Sequence, residues 1–107
     1  MLTLPASVRL YACTHAVDLR KSFDGLAGAV ESTMGHDAMT GGVFVFFNRR
    51  ASQIRLLWWD HDGWMLLAKR LERGTFSWPK MSQAGGVKVR LAPEALALLV
   101  DGVDLRG

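Results

Sequence analysis

The 107-residue chain contains little cysteine and lacks long apolar runs. Its single cysteine, Cys13, excludes an intramolecular disulfide and fits a reducing compartment. No stretch approaches the roughly 20 apolar residues that a membrane-spanning helix requires. Residues 1–13 also lack a basic segment followed by a sustained apolar run, so they do not predict a signal peptide. We therefore expect a cytoplasmic protein without a membrane partner.

The chain also lacks internal repeats, low-complexity tracts and domain linkers. Its length suits one domain and is too short for two ordinary ones. Half of the residues are apolar and four are tryptophan, so material for a hydrophobic core is plentiful. A domain of this size buries roughly 65% of the surface that its unfolded chain exposes. We therefore predict that residues 1–107 form a single domain.

Charge is distributed unevenly along the chain, although the net charge is only +3. Residues 48–90 contain nine cations and three anions, a net charge of +6. The remaining residues contain four cations and seven anions, a net charge of −3. A basic half joined to an acidic half indicates a polyanionic partner more directly than the total charge does.

The N-terminal part carries one strand pattern and one helix pattern. Residues 8–13 alternate as a strand does, and Asp18 is a suitable N-cap for a helix over residues 19–34. The apolar stripe of this helix comprises Leu19, Phe23, Leu26, Val30 and Met34. Gly25 and Gly28 each lower the helix propensity by roughly 1 kcal/mol. We therefore expect the helix to pack closely against a neighbour at these glycines.

Three strand patterns follow, at residues 43–48, 53–59 and 64–69. The second and third are joined by a tight turn at residues 60–63, which ends in glycine. Strands with such short connections form an antiparallel meander. A further strand is predicted at residues 87–91.

The first strand of the meander is apolar on both faces: Val43, Val45 and Phe47 on one, Phe44 and Phe46 on the other. A sheet that is apolar on both faces must be covered on both. The second cover can come from a C-terminal helix that starts near Pro93, from residues 69–80 or from a second copy of the chain. The predicted fold is therefore α+β, an antiparallel β-meander with two main helices packed on it.

No set of residues predicts catalysis or a cofactor. A metal site would have to combine Asp60, Asp62 and Glu72, but aspartates before a glycine are typical of a turn. The histidines, His15, His36 and His61, do not show ligand spacing. Cys13 lies on a predicted strand, which favours a buried and inert thiol. We predict a protein that is not an enzyme and binds no metal.

Clusters of cations and aromatic residues give the stronger signal. Arg49 and Arg50 lie in the loop between two strands, where arginine side chains can reach a phosphate backbone. Lys69, Arg70 and Arg73 follow the third strand of the meander. The alternative is a solvated surface in which Glu72 and the N-terminal acids pair with these cations.

The aromatic residues allow two interpretations. They can stack on nucleic-acid bases, or they can belong to the core, which is the more frequent role. The residues concerned are Trp58, Trp59, Trp64, Phe76 and Trp78. We expect Phe76, Trp78 and Pro79 to anchor their segment to the core while the cations before them face a partner.

The chain resembles the small accessory protein, the TnpB-type second open reading frame, of insertion-sequence family sixty-six transposons. The matching motifs are DLRKSFDGL at 18–26, G-FVF-NRR within 42–50, LWWD-DG at 57–63, KRLERG-F-WP at 69–79 and LLVDGVD at 98–104. The resemblance covers about residues 8–104 in order. Thr75 and Ser77 stand where the family frequently has arginine, which lowers the positive charge.

This resemblance implies a role in transposition beside a larger transposase that carries the acidic catalytic residues. We expect a non-enzymatic accessory factor that binds DNA at transposon ends, the transposase, or both, and that can self-associate. The residues predicted to bind DNA are Arg49, Arg50, Arg70, Arg73, Lys69 and Arg20. The alternative is a protein–protein adaptor for the transposase that does not contact DNA.

Overall fold

The computed structural model describes residues 8–35, 37–76 and 88–101. Five strands and two helices are present in these ranges, together with a short 3-10 turn at Ala38–Thr40. In chain order they are β1 Leu10–Cys13, α1 Phe23–Ser32, β2 Val43–Phe47, β3 Gln53–Asp60, β4 Gly63–Arg70, β5 Lys88–Leu91 and α2 Pro93–Val100.

The strands form one sheet in the order β4-β3-β2-β1-β5. Strands β2, β3 and β4 are antiparallel neighbours, as the meander prediction requires. Strand β1 pairs antiparallel with β5 but parallel with β2. The sheet is therefore mixed, because the antiparallel meander is joined by one parallel pair, β1 with β2, which the sequence patterns did not predict. The connection from β1 to β2 contains α1, which is the crossover that parallel neighbours need.

Strand β2 lies at the centre of the core, and all five of its side chains are buried. Val43, Val45 and Phe47 face Leu96 of α2 and Phe76, and we call this side of the sheet the α2 face. The opposite side, the α1 face, holds the buried side chains Phe44, Phe46, Leu57, Leu26 and Val30. The expectation that both faces need a cover is confirmed, as is the α+β class. Both covers come from the same chain.

Helix α1 begins at Phe23 and not at residue 19, so the predicted start of the helix is wrong. Residue Ser22, and not Asp18, occupies the N-cap position. The carboxylate of Asp18 accepts a hydrogen bond from the backbone N–H of Arg20 at 3.0 Å, which closes a local turn before the helix. Leu19 is nevertheless buried in the α1-face core, which explains why it fitted the helical spacing.

The two helix glycines differ in their surroundings. A Cβ atom built on Gly25 would lie 2.9 Å from the Cβ of Lys21, whereas one built on Gly28 meets no atom within 4 Å. The expected close packing against a neighbour is therefore wrong for Gly28, and at Gly25 the nearest side chain is that of Lys21, four residues earlier on the exposed surface.

We predict that Gly28→Ala stabilises the fold by about 0.5–1 kcal/mol, because alanine restricts the unfolded chain and clashes with nothing in the helix. Urea denaturation followed by tryptophan fluorescence measures this change. The matched control is Gly35→Ala, which should destabilise because Gly35 has a φ of +65°. Equal effects of the two substitutions would contradict this description of the helix.

Candidate nucleic-acid interface

The loop between β2 and β3 is shaped by Asn48. Its Oδ1 accepts hydrogen bonds from the backbone N–H groups of Ser52 at 2.9 Å and Gln53 at 3.0 Å. Its Nδ2 donates to the Ser52 hydroxyl at 3.0 Å. These bonds are partly buried and close the loop around the two residues at its tip. Arg49 and Arg50 are those residues, and both are exposed.

The segment before α1 lies beside this loop. The backbone N–H of Val17 donates to the carbonyl of Phe47, the last residue of β2, at 3.0 Å. One residue later the chain reaches Asp18, whose carboxylate accepts from Nε of Arg20 at 3.0 Å and from Nη2 at 2.8 Å. This paired arrangement fixes the guanidinium plane at the surface.

The hydrogen bonds from Arg20 lower the pKa of Asp18 to about 2, from the ordinary 3.8 of aspartate. The same pair raises the pKa of Arg20. Both side chains are charged at neutral pH. The ion pair is exposed, so water and salt screen its contribution to stability.

The loop, the segment before α1 and strand β3 enclose a groove of about 600 Å³. Four arginines and one carboxylate are among its lining residues. The polar lining comprises Asp18, Arg20, Asn48, Arg49, Arg50, Gln53 and Arg55. We call it the arginine groove. Its electrostatic character is cationic even with Arg20 paired, because three further guanidinium groups share it with a single anion.

Arg55 is one of the nine cations of residues 48–90, and it is the groove residue that sequence reasoning missed. It lies in β3 directly opposite Phe46, so its side chain projects from the α1 face. Its Nη1 lies 3.5 Å from the carbonyl oxygen of Lys21. Its Nε is buried and has no hydrogen-bond partner within the described part of the chain. A polar residue that interrupts the apolar stretch of a central strand was the signal for it.

The segment after β4 lies at the same end of the sheet. The backbone N–H of Leu71 donates to the carbonyl of Ser52 at 2.9 Å, and that of Phe76 donates to Ala51 at 2.6 Å. Arg73 lies between these two attachments and is exposed. The NRR and KRLERG motifs, distant in sequence, are therefore adjacent in the fold.

The remaining two residues that were predicted to bind DNA, Arg70 and Lys69, lie on opposite sides of the sheet. Arg70 is directly opposite Gln53, which lines the groove, and so it extends from the α1 face. Its Nε lies 3.4 Å from a carboxylate oxygen of Glu72, and both side chains are exposed. Lys69 instead donates to the carbonyl of Val100 at 2.7 Å, at the end of α2. Lys69 is therefore outside the groove.

The aromatic residues behave mainly as core. Phe76 is buried and meets Phe47 edge to face, with 6.3 Å between ring centroids, so its predicted anchoring role is confirmed. Trp58 packs against the α2-face core and Trp64 against the α1-face core. Trp59 contacts Trp64 edge to face at 4.9 Å. Trp78 and Pro79 are outside the described residues.

The part of the chain that the structure describes offers less support for a metal site, a reactive thiol or a membrane-spanning helix. There, no three histidine, cysteine, aspartate or glutamate side chains come together as a metal site would require; His36 is outside it. Cys13 is buried, and burial raises the pKa of its thiol. Among the same residues, no helix is long and apolar enough to cross a membrane.

We predict that Asn48→Ala lowers the free energy of unfolding by about 1–3 kcal/mol, because two partly buried backbone N–H groups lose their acceptor. Urea denaturation checks this. Ser52→Ala is the matched control: it removes only the hydroxyl that accepts from Nδ2 and should cost less. A larger loss in Ser52→Ala would contradict the role given to Asn48.

A carbon-detected NMR titration tests the Asp18–Arg20 pair. The folded-state pKa of Asp18 is depressed, so the stabilising charge pair is fully present above pH 3.8 and is lost as the pH falls through about 2. We expect a carboxyl midpoint near 2 in the wild type and one closer to 3.8 in Arg20→Ala. An unchanged midpoint in the variant would remove Arg20 as the cause.

Comparison with known proteins agrees with the motifs. The sequence profile of the family described as "IS66 Orf2 like protein" matches residues 8–107. Two similar proteins come from Sinorhizobium fredii (strain NBRC 101917 / NGR234), and both are described as uncharacterized. The protein y4hO is 35% identical over 106 residues, which cover 99% of this chain and 90% of the relative. The protein y4jC is 34% identical over 97 residues, covering 91% and 80%. No solved structure matches significantly. Because the family profile matches nearly the whole chain, in keeping with its motifs, the chain belongs to the IS66 Orf2-like family.

Proposed function

We propose that this protein is a non-enzymatic accessory factor in DNA transposition that binds the phosphate backbone at transposon ends through the arginine groove. Membership of the IS66 Orf2-like family supports a transposition accessory role. The observation that carries the DNA contact is the groove itself, where four arginines from three chain segments line one concave surface.

The groove suits phosphate for geometric reasons. Each guanidinium presents a planar fork of N–H donors that matches two phosphate oxygens. Arg49 and Arg50 are positioned by a loop that Asn48 closes, so little backbone order has to be gained on binding. Arg55 projects into the same groove from strand β3. Arg73, in the segment after β4, would extend the contact beyond the groove, and Arg70, the last residue of β4, would add positive charge beside it.

The contact would be largely independent of base sequence. Phosphate contacts release condensed counterions and position a protein on the duplex without reading its bases. An anion in the groove would offset the repulsion among its neighbouring guanidinium groups. Arg20 keeps its carboxylate partner, so Asp18 orients one fork and lowers the total charge of the site.

In this proposal the larger transposase of the same element performs the chemistry, and the protein acts beside it. A protein–protein adaptor that never contacts DNA is the competing function. It would use the same arginines to pair with acidic residues of the transposase.

Fluorescence anisotropy with a labelled duplex that carries a transposon terminal repeat tests the proposal, with a scrambled duplex alongside. Contacts to three or four phosphates predict that log K falls with log salt concentration at a slope of about −3 for both duplexes. In Arg49→Ala/Arg50→Ala we expect weaker binding and a slope shallower by about 2, since each lost contact removes about 0.9.

The matched control is Arg9→Ala/Arg90→Ala, which makes the same change in net charge away from the groove. Neither residue lines it, and Arg90 lies on β5 with its guanidinium 5.6 Å from the Tyr11 ring centroid. Equal losses of duplex affinity in the two double variants would indicate a general charge effect and would contradict binding at the arginine groove. No binding to either duplex at low salt would reject DNA binding and leave the adaptor.

A further inference from the structure

Strand β4 is an edge of the sheet with an apolar, exposed surface. Among the described residues it has β3 on one side and no strand on the other. Two of its side chains on the α2 face, Met65 and Leu67, are 44% and 37% exposed. Its interior contains no proline, its register with β3 is uninterrupted and its cations, Lys69 and Arg70, lie at one end, so residues 64–68 lack the usual protections of an edge strand.

The outward backbone groups of β4 can be identified from its pairing. Leu71 continues the β3–β4 register, and its N–H donates to Ser52 on the β3 side. Hydrogen-bonding groups point alternately toward and away from a neighbouring strand. The odd-numbered residues of β4 therefore bond to β3. The outward N–H and C=O groups belong to the even-numbered residues, Trp64, Leu66 and Ala68 among them.

We propose that β4 pairs antiparallel with β4 of a second copy of this chain, around a two-fold axis at Leu66. In this register the outward backbone N–H and C=O groups of the two strands meet. Leu66 lies opposite the partner's Leu66, and Trp64 lies opposite the partner's Ala68. On the α2 face, Met65 lies opposite the partner's Leu67. The two exposed apolar side chains of each copy thereby cover those of the other.

Charge complementarity selects a second copy and this register. One end of the β3–β4 hairpin is acidic, with Asp60 and Asp62, and the other end of β4 is basic, with Lys69 and Arg70. An antiparallel self-pairing places the acidic end of each copy against the basic end of the other. With the axis at Leu66, Gly63 lies opposite the partner's Lys69, and this brings the adjoining turn residue Asp62 beside the partner's Arg70 on both sides of the axis.

Neighbouring registers do not satisfy the same conditions. A shift by one residue sets outward groups against inward ones. An axis at Leu67 places Met65 opposite the partner's Lys69, and an axis at Met65 brings the turn residue Asp62 beside the partner's Ala68 and away from its cations. Of these three registers, only the one with its axis at Leu66 places opposite charges against each other and also places apolar side chains against each other.

Sedimentation velocity over a range of protein concentrations tests the dimer. We expect a dimer in the wild type and a monomer in Leu67→Arg, which sets two cations against apolar side chains. Ala68→Pro should also be monomeric, because it removes an outward N–H and leaves the bonds to β3 intact. The control is Met39→Arg, a residue that is 54% exposed and lies outside β4; it should remain dimeric.

Disulfide trapping tests the register. An equimolar mixture of Met65→Cys and Leu67→Cys chains should form a mixed cross-linked dimer on mild oxidation. Either variant alone should cross-link poorly, since like positions would be diagonal neighbours roughly 7–8 Å apart, beyond disulfide reach. The native thiol, Cys13, is buried and does not compete.

A chain that stays monomeric at every concentration overturns the proposal. So does a dimer that survives both Leu67→Arg and Ala68→Pro, or cross-linking that is as efficient in either single variant as in the mixture. Circular dichroism shows whether a monomeric variant is folded. If Ala68→Pro unfolds, Leu67→Arg and the cross-linking result decide. None of these outcomes depends on DNA binding.

Discussion

The burial of β2 on both faces is the constraint on which the rest of this structure depends. Five consecutive apolar side chains, Val43–Phe47, must be removed from water, and one layer cannot cover them. Helix α1 covers one face, while α2 and Phe76 cover the other. The chain segments that lead into α1 and away from β4 therefore pass the same end of β2. That end carries the loop closed by Asn48, and so arginines that are distant in sequence become neighbours.

These arginines are positioned by backbone bonds and by burial nearby, and only in part by ion pairs. The Asn48 side chain closes the loop, and Phe76 anchors the segment after β4. Among the described residues, ion pairs engage Arg20 and Arg70 only, and both pairs are exposed. Exposed ion pairs contribute little to stability, so we expect the fold to depend little on the pairing of these cations.

The sequence predicted the strands of the meander well because alternation and turn residues are local signals. It misplaced the start of α1, since the spacing of Leu19 fits a helix while the Asp18 carboxylate binds the Arg20 N–H in a turn. The parallel pairing of β1 depends on where the chain returns after α1, which no local pattern encodes. For the site, the sequence could predict that the loop carries exposed cations. It could not predict which face of the sheet Lys69 occupies or that Arg55 lines the groove, because both depend on strand register.

The most direct test of a DNA-binding arginine groove is to observe its guanidinium groups during a titration. Arginine Nε–Hε signals can be followed by NMR as unlabelled duplex is added to isotopically labelled protein. If the groove binds the duplex, we expect the signals of Arg20, Arg49, Arg50 and Arg55 to shift and those of Arg9 and Arg90 to change little. Shifts confined to residues outside the groove, or no shifts at low salt, would contradict it.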